Sequence, residues 1–181
     1  MSRGPASTAV HSRTARAAVL AAAATVAAID LAAKAASEAR LADSTVDLGL
    51  IQLRLVYNPG MAFSMGDTLP FGVIVAVTAM LSAAMAVYAW HRAPRASWIE
   101  RIAGGAVIGG AVANLVDRAR DGVVTDYLHT GWWPTFNLAD TFLVVGCIVV
   151  ALVNARSDPA TDDDSEPTAA HTSPPKSDTD L

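Results

Sequence analysis

The chain has 181 residues, 52% of them hydrophobic and only 17% charged, with a single cysteine, Cys147. That is more apolar than a soluble domain of this length needs, and one cysteine rules out an internal disulfide framework and a cysteine-clustered zinc site. The formal net charge of −4 arises at the end of the chain, where Asp158, Asp162, Asp163, Asp164, Glu166, Asp178 and Asp180 face only Lys176; the remainder is slightly basic, with neither a nucleic-acid-binding cationic surface nor a glycine-rich phosphate loop after a strand.

Four stretches are long and apolar enough to cross a hydrocarbon core of about 30 Å. The first, Ala17 to Ala36, follows a short basic segment, residues 1–16. Its apolar run exceeds the usual 7 to 15 residues or so of a cleavable signal, and cleavage there would discard Asp30 and Lys34. Residues about 40–66 contain the alternating run Val46 to Tyr57, which predicts one or two short strands. The second span runs from Pro70 to Trp90 and the third from Ile102 to Arg118. Gly104, Gly105, Gly109 and Gly110 in the third weaken a soluble helix but let membrane helices approach closely. The fourth span is Phe136 to Asn154. Residues 155–181, rich in Asp, Ser, Thr and Pro, predict a disordered acidic tail. The expected fold is an all-α membrane protein, with four transmembrane helices over residues 17–154 and a small extracytoplasmic β subdomain.

Basic residues orient the spans. Arg3, Arg13 and Arg16 precede the first, Arg92, Arg95 and Arg101 bracket the connection between the second and third, and Arg156 follows the fourth. These segments are expected in the cytoplasm, together with both termini. The connections Ser37 to Leu69 and Ala119 to Thr135 then face outward.

Ionisable groups in membrane spans are costly and face the bundle interior or water. On this topology Asp30 and Lys34, then Asn114, Asp117 and Arg118, then Asn137 and Asp140, all arrive at the extracytoplasmic edge. Each has a plain reading. Asp30 and Lys34 suit an i,i+4 ion pair, Asn114 with Asp117 or Arg118 suits interhelical bonding, and Asn137 with Asp140 suits a helix N-cap. Asp126 alone reads as a turn residue in the outer connection. Taken together, Asp126 and Asp140 can be brought close by a helical hairpin, and two close carboxyls share one proton. That is the state in which one carboxylate activates water while its protonated partner donates to a peptide carbonyl. Competing readings are a serine–lysine peptidase built on Ser64 and Lys34, a metal site on Asp126, His129 and Asp140, and a transporter or scaffold. The last needs polar groups spread through the membrane depth, whereas here they gather at one edge.

Five ordered motifs carry a family resemblance: Asp30 to Lys34 (DLAAK), Asn58 to Ser64 (NPGMAFS), Gly109 to Arg118 (GGAVANLVDR), Val123 to Tyr127 (VVTDY) and Phe136 to Asp140 (FNLAD). Over about Arg16 to Asn154 the chain resembles lipoprotein signal peptidase, or signal peptidase II. The resemblance implies a four-helix enzyme of the bacterial cell membrane that removes signal peptides from diacylglyceryl-modified prolipoproteins, cutting before the lipidated cysteine. It implies Asp126 and Asp140 as the catalytic pair. Asn58, Gly60, Asn114, Arg118 and Asn137 would bind substrate or support the site, and Asp30, Lys34 and Asp117 would maintain its architecture. Neither a metal nor an organic cofactor is implied. Ala113, Pro59, Met61 and Thr125 depart from the usual residues, and the segment between the aspartates is short; these bear on substrate contacts and loop geometry.

Overall fold

The computed structural model describes residues 5–59 and 71–157. In chain order the elements are α1 (Pro5–Leu41), β1 (Val46–Asp47), β2 (Gln52–Asn58), α2 (Phe71–Arg92), α3 (Trp98–Asp121), β3 (Val124–His129) and α4 (Leu138–Ser157). Among the described residues, α1 from Ala9 to Leu41, α3 and α4 to Arg156 are long and apolar enough to cross a membrane. The acidic tail beyond Ser157, and Gly60, Met61 and Ser64 of the second motif, lie outside the described residues.

The helices outrun their predicted spans. α1 begins within the expected basic leader and continues to Leu41 because its Ala-rich sequence holds no glycine or proline after Pro5 to stop it. Its buried positions Ala15, Val19, Ala23, Val26, Asp30, Lys34, Ser37 and Leu41 recur every three or four residues, so one stripe faces the bundle. Asp30 and Lys34 therefore sit in the packing stripe itself. α3 starts earlier than Ile102 because Ser97 caps it: the Ser97 hydroxyl accepts from Glu100 N and the Glu100 carboxylate accepts from Ser97 N at 2.7 Å. It ends at Gly122, whose φ of 78° is a left-handed cap.

α3 is the central helix and packs against α1, α2 and α4. Its glycines make that possible. A Cβ at Gly105 would lie 2.6 Å from Ala22 Cβ of α1, one at Gly109 would collide with the Ala23 carbonyl, and one at Gly110 would come 2.5 Å from the Ala139 carbonyl of α4. One end of the bundle is closed by Ala15, Val19 and Ala93, with the Arg16 guanidinium 4.7 Å over the Trp90 ring and Arg92 paired to Glu100 at 3.2 Å. The other end carries the sheet.

That sheet is antiparallel, in the order β1-β2-β3. The predicted alternation over Val46 to Tyr57 becomes β1 and β2. β3 is a correction: Asp126, read as a turn residue in a loop, lies on a strand, with Asp126 opposite Val56 and Thr125 opposite Tyr57. The β-branched run Val123, Val124 and Thr125 favours this extended pairing. The chain then folds back so that Phe136 pairs with Leu128, with bonds of 2.8 Å and 3.0 Å. A short segment between the aspartates is therefore what the geometry requires, since it only has to turn from β3 into α4.

Candidate active site

Side chains of α1 and α3 converge on the ammonium of Lys34, a residue that is 2% exposed. Its Nζ lies 2.7 Å from Asn114 Oδ1, 2.8 Å from Asp30 Oδ2 and 2.9 Å from Asp117 Oδ2. Three donors thus meet three acceptors, the condition under which a buried ammonium is tolerated. The partner carboxylates extend the tie. Asp30 Oδ1 accepts from Ala139 N at 2.8 Å, fastening the first turn of α4 to α1. Asp117 Oδ2 accepts from Thr125 N at 3.1 Å, fastening β3 to α3. The i,i+4 pair read from the sequence is present, joined by a third acid and an amide.

Asp126 and Asp140 are held next to one another by two amides. Asn137, which is fully buried, donates from Nδ2 to Asp126 Oδ1 at 2.7 Å and to Asn114 Oδ1 at 3.1 Å. Its own Oδ1 accepts from Asp140 N at 2.9 Å, and its backbone N–H reaches Asp140 Oδ2 at 3.4 Å. This is the expected N-cap, and the same amide also grips the other aspartate. Asn114 Nδ2 donates to Asp140 Oδ1 at 2.8 Å, and Asn58 Nδ2, from the end of β2, donates to Asp126 Oδ2 at 3.0 Å. Both amide orientations are fixed by their partners, because an ammonium can only donate to Asn114 Oδ1 and a backbone N–H can only donate to Asn137 Oδ1.

Electrostatics follow from this enclosure. Burial is the largest influence on Asp126, whose carboxyl is pushed up to about 6. The Asn58 N–H opposes that rise, the Asp140 charge adds to it, and Asn137 and Lys34 pull it back. Burial also pushes the Tyr127 phenol up to about 12, and its oxygen accepts from Leu138 N at 3.3 Å. The Arg118 guanidinium lies in Coulombic range of Asp140, Asp126 and Asp117, and its Nε is buried with no hydrogen-bond partner among the described residues.

Of the predicted site residues, the structure brings together Asn58, Asn114, Asp126, Asn137 and Asp140 directly, with Asp30, Lys34 and Asp117 behind them and Arg118 alongside. Gly60 lies outside the described residues. The metal grouping does not form: three residues apart on a strand, His129 and Asp126 project to opposite faces, and His129 Nδ1 lies 3.4 Å from Thr135 Oγ1. Among the described residues no three potential ligands cluster. Lys34 is engaged by Asp30, Asp117 and Asn114 rather than poised to activate a serine, and Ser64 lies outside the described residues. Two participants were not anticipated. The Thr125 hydroxyl donates to Glu38 Oε1 at 2.8 Å, tying β3 to the end of α1, and Tyr127 meets α4 as above. A tyrosine beside a motif aspartate was a visible signal; for Glu38 the sequence held none.

The model of the signal peptidase (SPase) II family matches residues 22–155. A lipoprotein signal peptidase of Syntrophomonas wolfei is 36% identical over 107 residues, covering 58% of this chain and 68% of that protein. One from Mesorhizobium japonicum is 42% identical over 115 residues, covering 58% of this chain and 66% of that protein. The matched stretches thus span about two thirds of those relatives. A bacterial membrane enzyme solved at 1.9 Å by the in meso method superposes with a TM-score of 0.66, covering 77% of this chain and 94% of that one at 21% identity.

Proposed function

The chain belongs to the signal peptidase II family, and from that premise we propose that it is a membrane aspartyl endopeptidase that removes signal peptides from diacylglyceryl-modified prolipoproteins, cutting before the lipidated cysteine. The observation that carries the reading is the fully buried Asn137, which bonds to both Asp126 and Asp140. One residue thereby couples the strand and helix that supply the two acids.

Two neighbouring carboxyls in this enclosure hold one proton between them. The ionised member removes a proton from a water as it attacks the scissile carbonyl. The protonated member donates to the carbonyl oxygen as the tetrahedral intermediate forms, and a proton then passes to the departing amine. Asn58, Asn114 and Asn137 keep the carboxyls oriented through this cycle, because each of their N–H groups is directed at a carboxyl oxygen that must accept. Arg118, charged throughout, balances the dyad and has a buried Nε–H, unpartnered among the described residues, for a substrate carbonyl.

In the same reading four helices cross the membrane. α2, with 22 residues, spans about 33 Å, enough for a core of about 30 Å. The termini face the cytoplasm, and the dyad lies at the extracytoplasmic edge. The test reconstitutes the full chain in lipid with a diacylglyceryl-modified precursor and compares it with Asp126→Asn and Asp140→Asn. Each is expected to lose at least about a thousandfold in kcat with little change in KM. Parental cleavage by either folded variant overturns the dyad.

A further inference from the structure

An apolar groove of about 810 Å³ runs between α1, α3 and α4. Its walls on α4, Phe142, Val145 and Val149, are turned roughly 140° to 180° around that helix from Asp140, so the groove does not open on the reacting groups. Its floor is made of small residues, Ala18 and Ala22 of α1, Ala103 and Ala106 of α3 and Gly146 of α4, which leave a trough where the three helices meet. Along α3 the lining extends from Trp98 to Ala106, about 12 Å of helix, and Asn114 of the site lies about another 12 Å further on.

We propose that this groove holds one acyl chain of an anionic membrane phospholipid, with the Arg156 guanidinium and the His11 ring at its mouth binding the headgroup phosphate. The lipid belongs to the cytoplasmic leaflet, an assignment that rests on the orientation proposed above and not on the peptide-cleaving chemistry. Length selects the occupant. One leaflet is about 15 Å deep, close to the extent of the groove, whereas a transmembrane helix of a second copy would need a track of about 30 Å. Charge selects the headgroup. Arg156 follows Val149 by seven residues and His11 precedes Ala18 by seven, which returns each to within about 20° of the groove face, two turns nearer the basic end of the bundle. Both are exposed and have no hydrogen-bond or ion-pair partner among the described residues. An Arg guanidinium and an imidazole N–H both donate to phosphate oxygens, and basic pockets between helices at the cytoplasmic face suit anionic headgroups. Glu100, in the first turn of α3, does not oppose them, because Arg92 at 3.2 Å and the Ser97 N–H at 2.7 Å engage its carboxylate. Trp98, on the groove's rim and 72% exposed, stands where an indole settles at headgroup level.

The experiment titrates the full chain, acidic tail included, in mild detergent with dioleoyl phosphatidylglycerol, dioleoyl phosphatidylcholine or short-chain dihexanoyl phosphatidylglycerol, and counts retained lipid by native mass spectrometry. The parent is expected to retain one dioleoyl phosphatidylglycerol, about fivefold more tightly than the phosphatidylcholine and at least about tenfold more tightly than the short-chain lipid. Arg156→Gln combined with His11→Gln should erase the preference for phosphatidylglycerol while long chains still bind. Ala21→Trp, which fills the groove from an exposed position, should weaken both long-chain lipids about tenfold. Ala106→Leu fills less and should act in the same direction, which keeps the test open where the tryptophan variant fails to fold. Leu81→Trp, at an exposed position of α2 that does not line the groove, should bind as the parent does. Equal retention of phosphatidylglycerol and phosphatidylcholine, a preference that survives the double substitution, filling variants that bind normally, or an equal loss in Leu81→Trp overturns the site. So does a dimeric parent that Ala21→Trp makes monomeric with lipid retention unchanged, since the groove is then an interface between copies. Cleavage of a lipidated precursor by the same samples tests the peptidase reading separately.

Discussion

Asp126 illustrates how a single side chain is held in a state that costs stability. It is 1% exposed, and its carboxyl is pushed up to about 6 mainly by burial, whereas in the unfolded chain it titrates near the usual aspartate value of about 3.9. Between those values the native state binds the extra proton, so this group's contribution to stability falls as pH rises through that window and is fully unfavourable above it. Asp126→Asn removes the charge and keeps an acceptor for Asn137. The variant is expected to be catalytically dead but more stable than the parent by about 1 to 3 kcal/mol near neutral pH, with the difference vanishing below about pH 4. Thermal unfolding of both proteins in the same detergent across pH 4 to 8 checks this. A variant less stable than the parent throughout would show that the hydrogen bonds to Asn58 and Asn137 outweigh the cost of burying the charge.

Among the elements, α3 carries the strictest steric demand, because it touches every other helix and closes on α4 beside Asp140. At Gly110 a methyl group would press on the Ala139 carbonyl and lie 3.3 Å from Leu143 Cγ, one residue from Asp140. Gly110→Val is expected to force α4 outward, lengthen the Asn114 to Asp140 bond, and cut kcat at least about tenfold even where the protein still folds, since misplacement by about 1 Å at reacting groups is that costly. Gly104→Ala is the control, because its added Cβ meets only Ala89 Cβ at 3.6 Å. Kinetics on both variants separates the two outcomes. The glycines were legible as a helix-packing signal in the sequence, and so was the N-cap at Asn137. What the sequence left hidden was β3. Its pairing partner β2 lies more than sixty residues away, and local pattern carries no information about which distant strand completes a sheet. The same holds for Asn137 spanning both aspartates, a contact created by the Leu128 to Phe136 bridge. The order of the motifs announced the residues; the fold-back supplied their arrangement.

Across the whole molecule, polarity is sorted to the two ends of the bundle. Arg16, Arg92, Glu100 and Arg101 gather where α1 begins and α2 passes into α3, and the Arg101 Nε donates to the Ala93 carbonyl there at 3.0 Å. The buried acids, amides and Lys34 gather at the sheet end. If the basic end faces the cytoplasm, as charge bias directs, Ser44 in the turn before β1 lies outside and Arg95 in the α2–α3 turn lies inside; both turns are surface segments. The native Cys147, in the middle of α4 and exposed on the protein surface, then faces acyl chains and is shielded from water. With Cys147→Ser as background, Ser44→Cys is expected to react with a membrane-impermeant maleimide in intact cells, and Arg95→Cys only after lysis. Labelling of Arg95→Cys in intact cells would invert the orientation and put the aspartates on the cytoplasmic side. There they would be beyond reach of a precursor whose cleavage site has already crossed the membrane, so this one experiment bears on the assigned activity as well as on the topology.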